Sequence, residues 1–196
     1  FNIKSSLSKY GFTANDITDV ICTHLHFDHV GGNTIYHKQT LIPTFPNANY
    51  WISERNWSLA NHPSQKDKGS FMECDWEVLG ENNMIKLVKD KFLPGIDIYF
   101  TEGHTDGLMH PIISDSNTTL FYGADIFPTA AHIPIPWVMS YDLRPVQTVK
   151  EKNKLLRKMY DEEWILFFEH DPFYQACTIR MKGNHYCMSR PVVISE

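Results

Sequence analysis

The chain lacks a basic face. Its 196 residues carry 18 Lys and Arg against 23 Asp and Glu, a formal net charge of −5, with no cluster of cations interleaved with aromatics. A nucleic-acid partner, which needs a concentrated positive footprint, is not expected. Long apolar runs are missing too: no stretch approaches the roughly 20 residues of a membrane span, so no membrane partner is expected. Cysteine is sparse. Cys22, Cys74, Cys177 and Cys187 are scattered without a C-x-x-C pair, which argues against a disulfide framework and for small buried residues. The sequence opens at Phe1 rather than at a methionine, and no signal-peptide pattern precedes the first element. With the unpaired cysteines, this makes the cytoplasm the expected location. Repeats and low-complexity linkers are absent. A 42% hydrophobic and 21% charged composition then fits one globular domain over residues 1–196.

What is present alternates between helical and extended patterns. Ile3, Leu7 and Tyr10 recur at helical spacing before Gly11, predicting a helix with a glycine cap. Residues 19–23 predict a short buried strand and 47–53 another, with Ser53 capping a helix through Ala60. Ser70 and Glu73 have capping-box spacing for a helix ending near Gly80. Strands are predicted over 84–88 and 96–101, and a hairpin over 110–125 turning at 115–117. Pro145 opens an amphipathic helix to Tyr160, residues 164–169 predict an apolar strand, and 176–188 a hairpin turning at Gly183-Asn184. The class is α/β, or α+β by some schemes.

The ionisable residues of "THLHFDHVGG" (Thr23–Gly32) sit where the first strand should end. His24 and His26, two apart in an extended segment, share a face, while Asp28 and His29 follow once the chain turns. His104 follows the strand at 96–101, Asp125 the second arm of the 110–125 hairpin, and His170 the strand at 164–169. Strand ends converge in layered folds, and imidazole with carboxylate suits zinc or another first-row metal. Burying this polarity without a metal would be costly. His37, His62, His110 and His185 lie off this pattern and are not expected to be ligands.

His24-Leu-His-Phe-Asp-His29 resembles the H-x-H-x-D-H signature of the metallo-β-lactamase-fold superfamily. "TEGHTDG" (Thr101–Gly107) resembles its third-histidine loop, "YGAD" (Tyr122–Asp125) its bridging-aspartate strand and "FFEHD" (Phe167–Asp171) its last ligand segment. The resemblance implies a four-layer αβ/βα sandwich. In that family several strands normally precede the signature, so the N-terminal strands are expected to be absent from this chain. It also implies two divalent cations, zinc first, with iron, manganese and cobalt as alternatives. The seven ligands implied are His24, His26, Asp28, His29, His104, Asp125 and His170.

The branch follows from the same comparison. Flavodiiron-type members tend to carry glutamate where His26 stands, zinc β-lactamases typically lack the aspartate at Asp125, and RNA-processing members should be basic. The stretch Ala124–Asp142 is most similar to the quorum-quenching N-acyl homoserine lactonase-like group. The implied activity is opening of a lactone, or cleavage of a related small acyl ester, by a metal-bridging hydroxide, with Asp28 shuttling the proton to the leaving oxygen. A hydroxyacyl-glutathione-type thioesterase is the alternative within the family, and a metal-binding, non-catalytic relative the alternative outside enzymes. Characterised lactonases often hold the carbonyl with a tyrosine near the bridging aspartate, but Pro128 stands three residues after Asp125. His132 and Tyr141 are the replacement candidates and Trp137 a candidate wall for the acyl group, although ordinary packing explains each of the three as simply. The composition fixes no oligomeric state.

Overall fold

Ile3 and Leu7 lie on α1 (Ile3–Ser8), and the chain leaves it through Gly11 at φ +80°, a left-handed value that costs glycine no Cβ clash. This computed structural model describes residues 3–89 and 95–194, which divide into two units, Phe1–Lys89 and Asp90–Glu196, each with its own core.

In the first unit β1 (Asp19–Ile21) is followed by a one-turn helix, α2 (Phe27–Val30), and a hairpin of β2 (Thr34–His37) and β3 (Thr40–Pro43). Then come β4 (Asn49–Ser53), α3 (Glu54–Asn61), α4 (Glu77–Glu81) and β5 (Ile85–Val88). Three strands form a parallel sheet in the order β1-β4-β5, with Val20 opposite Tyr50 and Tyr50 opposite Ile85. Tyr50 and Ile52 are buried, as are Leu25, Trp76 and Leu79 in the same core. Ser53 ends β4 and starts α3, its Oγ accepting the Asn56 N–H at 3.5 Å.

The second unit is a six-stranded sheet, β6 (Ile96–Thr101), β7 (Leu108–Ser114), β8 (Thr119–Tyr122), β9 (Ile165–Phe167), β10 (Ala176–Lys182) and β11 (His185–Val192), in the order β11-β10-β9-β8-β7-β6. Only β8 and β9 run parallel, and α5 (Pro145–Asp161) makes the crossover between them. Thr148, Glu151, Lys152, Leu155, Leu156 and Met159 form the buried face of α5. Their i, i+3, i+4 spacing is that of a helix packed on one side. The class is α+β, as expected. Among the described residues no helix is long and apolar enough to cross a membrane.

Several local expectations are corrected. Ser70 caps no helix. Phe71 and Met72 are extended, which places the Phe71 ring in the core 6.4 Å from Trp76, so α4 begins only at Glu77. The β2–β3 hairpin was not expected: His37 closes β2, and Lys38 and Gln39 both take left-handed φ values and make its tight turn. Of the four cysteines, Cys22 and Cys177 are buried, but Cys74 is exposed and Cys187 half-buried. Cys74 lies on a short 3-10 turn that is held through its backbone carbonyl, which accepts from Thr34 Oγ1 at 3.0 Å.

One buried imidazole ties the middle of the large sheet together. His110 on β7 is fully buried and stacks on Phe121 at 5.0 Å. Its Nδ1 donates to the Tyr122 carbonyl at 3.0 Å, so Nε2 accepts from the Thr101 hydroxyl at 2.8 Å. Burial depresses its pKa to about 4. Between pH 6.5 and 4 the unfolded chain therefore binds a proton that the folded chain refuses. Stability should fall as pH drops through that window, by about 3 kcal/mol in total. Urea midpoints measured from pH 7 to pH 4 check this. His110→Gln, which keeps a donor and an acceptor but cannot titrate, should flatten that part of the profile.

Candidate metal centre

Beyond β1 the chain stays extended. The Leu25 side chain enters the core, so the side chains of His24 and His26 on either side of it leave together on the other face. The segment is pinned between them: buried Asn56 on α3 accepts the Leu25 N–H at 2.8 Å. His24 Nε2 and His26 Nδ1 approach to 3.1 Å, and His24 Nδ1 meets Thr23 Oγ1 at 3.2 Å. Two nitrogens bound at 2.0–2.1 Å to one tetrahedral zinc would be about 3.3 Å apart, so the pair fits a shared cation. His26 is also the residue at which α2 begins, and that turn carries Asp28 and His29. Asp28 Oδ2 lies 3.5 Å from His29 Nε2, and the His29 ring lies 4.0 Å from that of His24. The Asp28 side chain is 44% exposed and that of His29 only 2%.

The second unit assembles its own set. His104 follows β6, Asp125 sits on a 3-10 turn (Ala124–Ile126) after β8, and His170 follows β9, its N–H donating to the Pro128 carbonyl at 3.1 Å. Each Asp125 oxygen addresses a different imidazole: Oδ2 lies 3.2 Å from His104 Nε2 and Oδ1 lies 3.1 Å from His170 Nε2. A carboxylate between two imidazoles brings three metal-ligating groups within reach of one another. The backbone is bent to place it. Gly123 runs so close to β9 that a Cβ would meet the Phe167 carbonyl at 2.8 Å, and Ala124 takes φ +40°, strained for a residue with a Cβ.

Three supporting carboxylates carried no sequence expectation. Asp142 is buried, and its Oδ1 lies 3.0 Å from His104 Nδ1, which fixes the tautomer that presents Nε2 as a donor atom. Glu151 on α5 accepts the N–H groups of Glu102 and Gly103 at 2.9 and 3.0 Å, shaping the loop that carries His104. A Cβ on Gly103 would stand 2.5 Å from the Thr148 nitrogen, so only glycine lets that loop pack on α5. Glu169 offers a carboxylate oxygen within 4.8 Å of ligand atoms of Asp125 and His170, and accepts a hydrogen bond from Tyr122. Burial, and next the Glu169 charge, hold the Tyr122 phenol well above its ordinary range. The signals in sequence were an acid ending the Ala124–Asp142 stretch and another beside His170, both without informative spacing.

The three substrate candidates lie on or next to the segment between Asp125 and α5. His132 ends a 3-10 turn (Ala130–His132), half-buried, with Nδ1 2.9 Å from Thr129 Oγ1. Burial, and then the charge of Lys152, hold its pKa below the usual histidine value. Trp137 is 65% and Tyr141 75% exposed.

The metallo-beta-lactamase superfamily profile matches residues 3–170. An N-acyl homoserine lactonase of Bacillus thuringiensis is 24% identical over 174 residues, covering 86% of this chain and 62% of that protein. The chain thus spans less than two thirds of the length of the curated relatives it matches. Among solved structures, a probable metal-dependent hydrolase from Staphylococcus aureus superposes with a TM-score of 0.83 at 28% identity, over 97% of this chain and 69% of that one. A dizinc quorum-quenching lactonase in complex with a product, N-hexanoyl-L-homoserine, gives 0.79 at 25% identity, over 98% and 70%.

Removing the Asp142 carboxylate frees the His104 ring to rotate. Asp142→Ala should therefore weaken metal affinity by roughly 10- to 100-fold, as loss of such an orienting partner generally does. Competition against a chromophoric chelator measures this directly.

Proposed function

The chain belongs to the metallo-β-lactamase superfamily, and from that premise we propose that it is a dinuclear metal-dependent hydrolase that opens a lactone or cleaves a related small acyl ester. The observation that carries the reading is the Asp125 carboxylate, each oxygen of which faces a different imidazole. Relatives named as N-acyl homoserine lactonases support the substrate class. In this reading His24, His26 and His104 hold one cation, and Asp28, His29 and His170 the other. Asp125 is shared. The donor set of imidazole nitrogen and carboxylate oxygen fits zinc first.

The bound cations would supply Lewis acidity and a water whose pKa is lowered from 15.7 towards about 7. The chain's own residues do the rest. Asp142 holds the His104 ring through Nδ1, so that Nε2 is the nitrogen turned towards the cation. Asp28, the more exposed of the two carboxylates, is the group that solvent and substrate can reach, and it carries the proton to the leaving oxygen. Trp137 lines the acyl pocket, and His132 and Tyr141 are the candidates to hold the carbonyl.

The test is proton release at constant pH by the metal-loaded protein given N-hexanoyl homoserine lactone, since each ring opening liberates a carboxylic acid. Steady release that chelator abolishes is the expected result. No release with two metals bound would overturn the lactonase reading; thioester hydrolysis in its place would identify the hydroxyacyl-glutathione-type alternative. Asp28→Asn should lower kcat by roughly 10²- to 10⁴-fold, the usual contribution of a positioned acid or base, with metal retained. Asp125→Ala should lower the metal content from two ions towards one by elemental analysis, and unchanged occupancy would refute its shared role.

A further inference from the structure

Lys152 is an unusual residue for the middle of a packed helix face. It is wholly buried on α5, between Glu151 and the apolar pair Leu155 and Leu156. Lysine is almost never fully buried unless it is paired. Here the partners are not a carboxylate but three backbone carbonyls of one short segment. Nζ donates to the carbonyls of His132 at 2.5 Å, Pro134 at 2.9 Å and Trp137 at 2.6 Å. An ammonium has three N–H donors, and all three are used. The Phe127 ring lies beneath it with the centroid 5.6 Å from Nζ, adding a cation–π contact. Burial lowers the pKa of the group only to about 8, so it remains mostly charged near neutral pH.

The segment so gathered needs a clamp. Two of its residues are prolines, which cannot donate, and its outward residue Trp137 is 65% exposed and contributes little to the core. Ile133 is fully buried and Ile135 packs on the same core, so the hydrophobic effect holds the inner side of residues 132–137 but leaves the Trp137 end to be fixed by other contacts. A charge-assisted triple contact does so, at the cost of burying an ammonium, and such a cost is usually sustained where a conformation matters.

We propose that Lys152 is a positioning residue for substrate recognition: by drawing in the carbonyls of His132, Pro134 and Trp137 it presets the loop that offers Trp137 to the acyl chain. This rests on the acyl-substrate reading above. A preset aromatic binds an apolar chain without first paying an ordering entropy, so affinity for long chains depends on the clamp more than affinity for short ones.

The decisive comparison is Lys152→Met, which keeps the length of the side chain and removes all three donors, in the parent and in a Trp137→Ala background. With N-decanoyl homoserine lactone KM should rise roughly tenfold while kcat changes less than twofold, the signature of lost ground-state binding. With the butanoyl lactone KM should move less than twofold. In the Trp137→Ala background the further effect of Lys152→Met should vanish. An equal fall in kcat for every chain length, or an effect that persists without Trp137, would overturn the proposal. Amide hydrogen exchange provides a readout that needs no turnover: the amides of Ile133, Ile135 and Trp137 should exchange at least tenfold faster in Lys152→Met, with the core strands β8 and β9 unchanged. If the parent opens no lactone, the function reading fails, and the clamp is judged on exchange alone; unchanged protection there sinks it. Should the methionine variant not fold, Lys152→Gln, which retains two donors, should give an intermediate KM and intermediate exchange, and parent-like values in both would refute the clamp.

Discussion

A buried charge has to be answered by polar partners at close range, and α5 places two such charges side by side. Glu151 and Lys152 are consecutive and both buried, and their side chains leave the helix about 100° apart. The carboxylate collects two backbone N–H groups of the loop that carries His104, and the ammonium collects three carbonyls of the loop that carries Trp137. Acceptor and donor are matched to what each loop presents. Asp142, between those loops, holds the far side of His104, and the N–H groups of Leu143 and Arg144 donate to the carbonyls of His104 and Gly103 at 3.0 and 2.8 Å. The second unit's ligand loop is thus fastened from the helix and from the segment leading into it. Losing either charge would leave several buried backbone groups unsatisfied, each costing about 1–3 kcal/mol.

The first unit solves the same problem with neutral groups. Asn56 is fully buried, and its carbonyl oxygen holds the Leu25 N–H, the backbone point between the two histidines. Asn56 is itself oriented because Ser53 caps α3 through the Asn56 N–H. A cap at the end of β4 therefore fixes where His24 and His26 point, through one hydrogen bond at each step. Asn33 adds a contact to Cys22, the residue that joins β1 to the histidine segment, at 3.4 Å. No charge is buried for this purpose, which suits a segment already carrying three imidazoles.

The difference between what could and could not be read from the sequence follows these contacts. Strands β6 to β9, the crossover helix α5 and the glycine end of α1 were legible because periodicity and turn chemistry are local. His24, His26, Asp28 and His29 were legible as a candidate site because four ligand-type side chains within six residues are a local signal. Asp142, Asn56 and Glu151 were not, because each acts across a long stretch of chain: 38 residues to His104, 31 to Leu25 and 48 to Gly103. Singly, an acid or an amide on an amphipathic helix reads as a solvated residue. The β2–β3 hairpin escaped for a local reason. Its turn uses Lys38 and Gln39 at positive φ, where asparagine and glycine are the usual signal. The false capping box at Ser70 shows the reverse: the spacing was right, but burying Phe71 required an extended backbone at the position where the helix should have started.

Burial is uneven among the proposed ligands, and His29, with a side chain only 2% exposed, is on the buried side. His24, His26 and His104 are at most 7% exposed, whereas the side chains of Asp28 and His170 are 44% and 36% exposed. Asp28 and His170 belong to the position that water and substrate can approach. Asp125, 6% exposed, faces His104 with one oxygen and the more exposed His170 with the other, so within the second unit it joins a buried imidazole to one that solvent reaches. In the proposed function the proton chemistry is therefore placed at Asp28. Of Asp28 and Asp125, Asp28 is far the more exposed, at 44% against 6%, so a proton taken up there can be passed on to solvent or to a leaving group that enters from it.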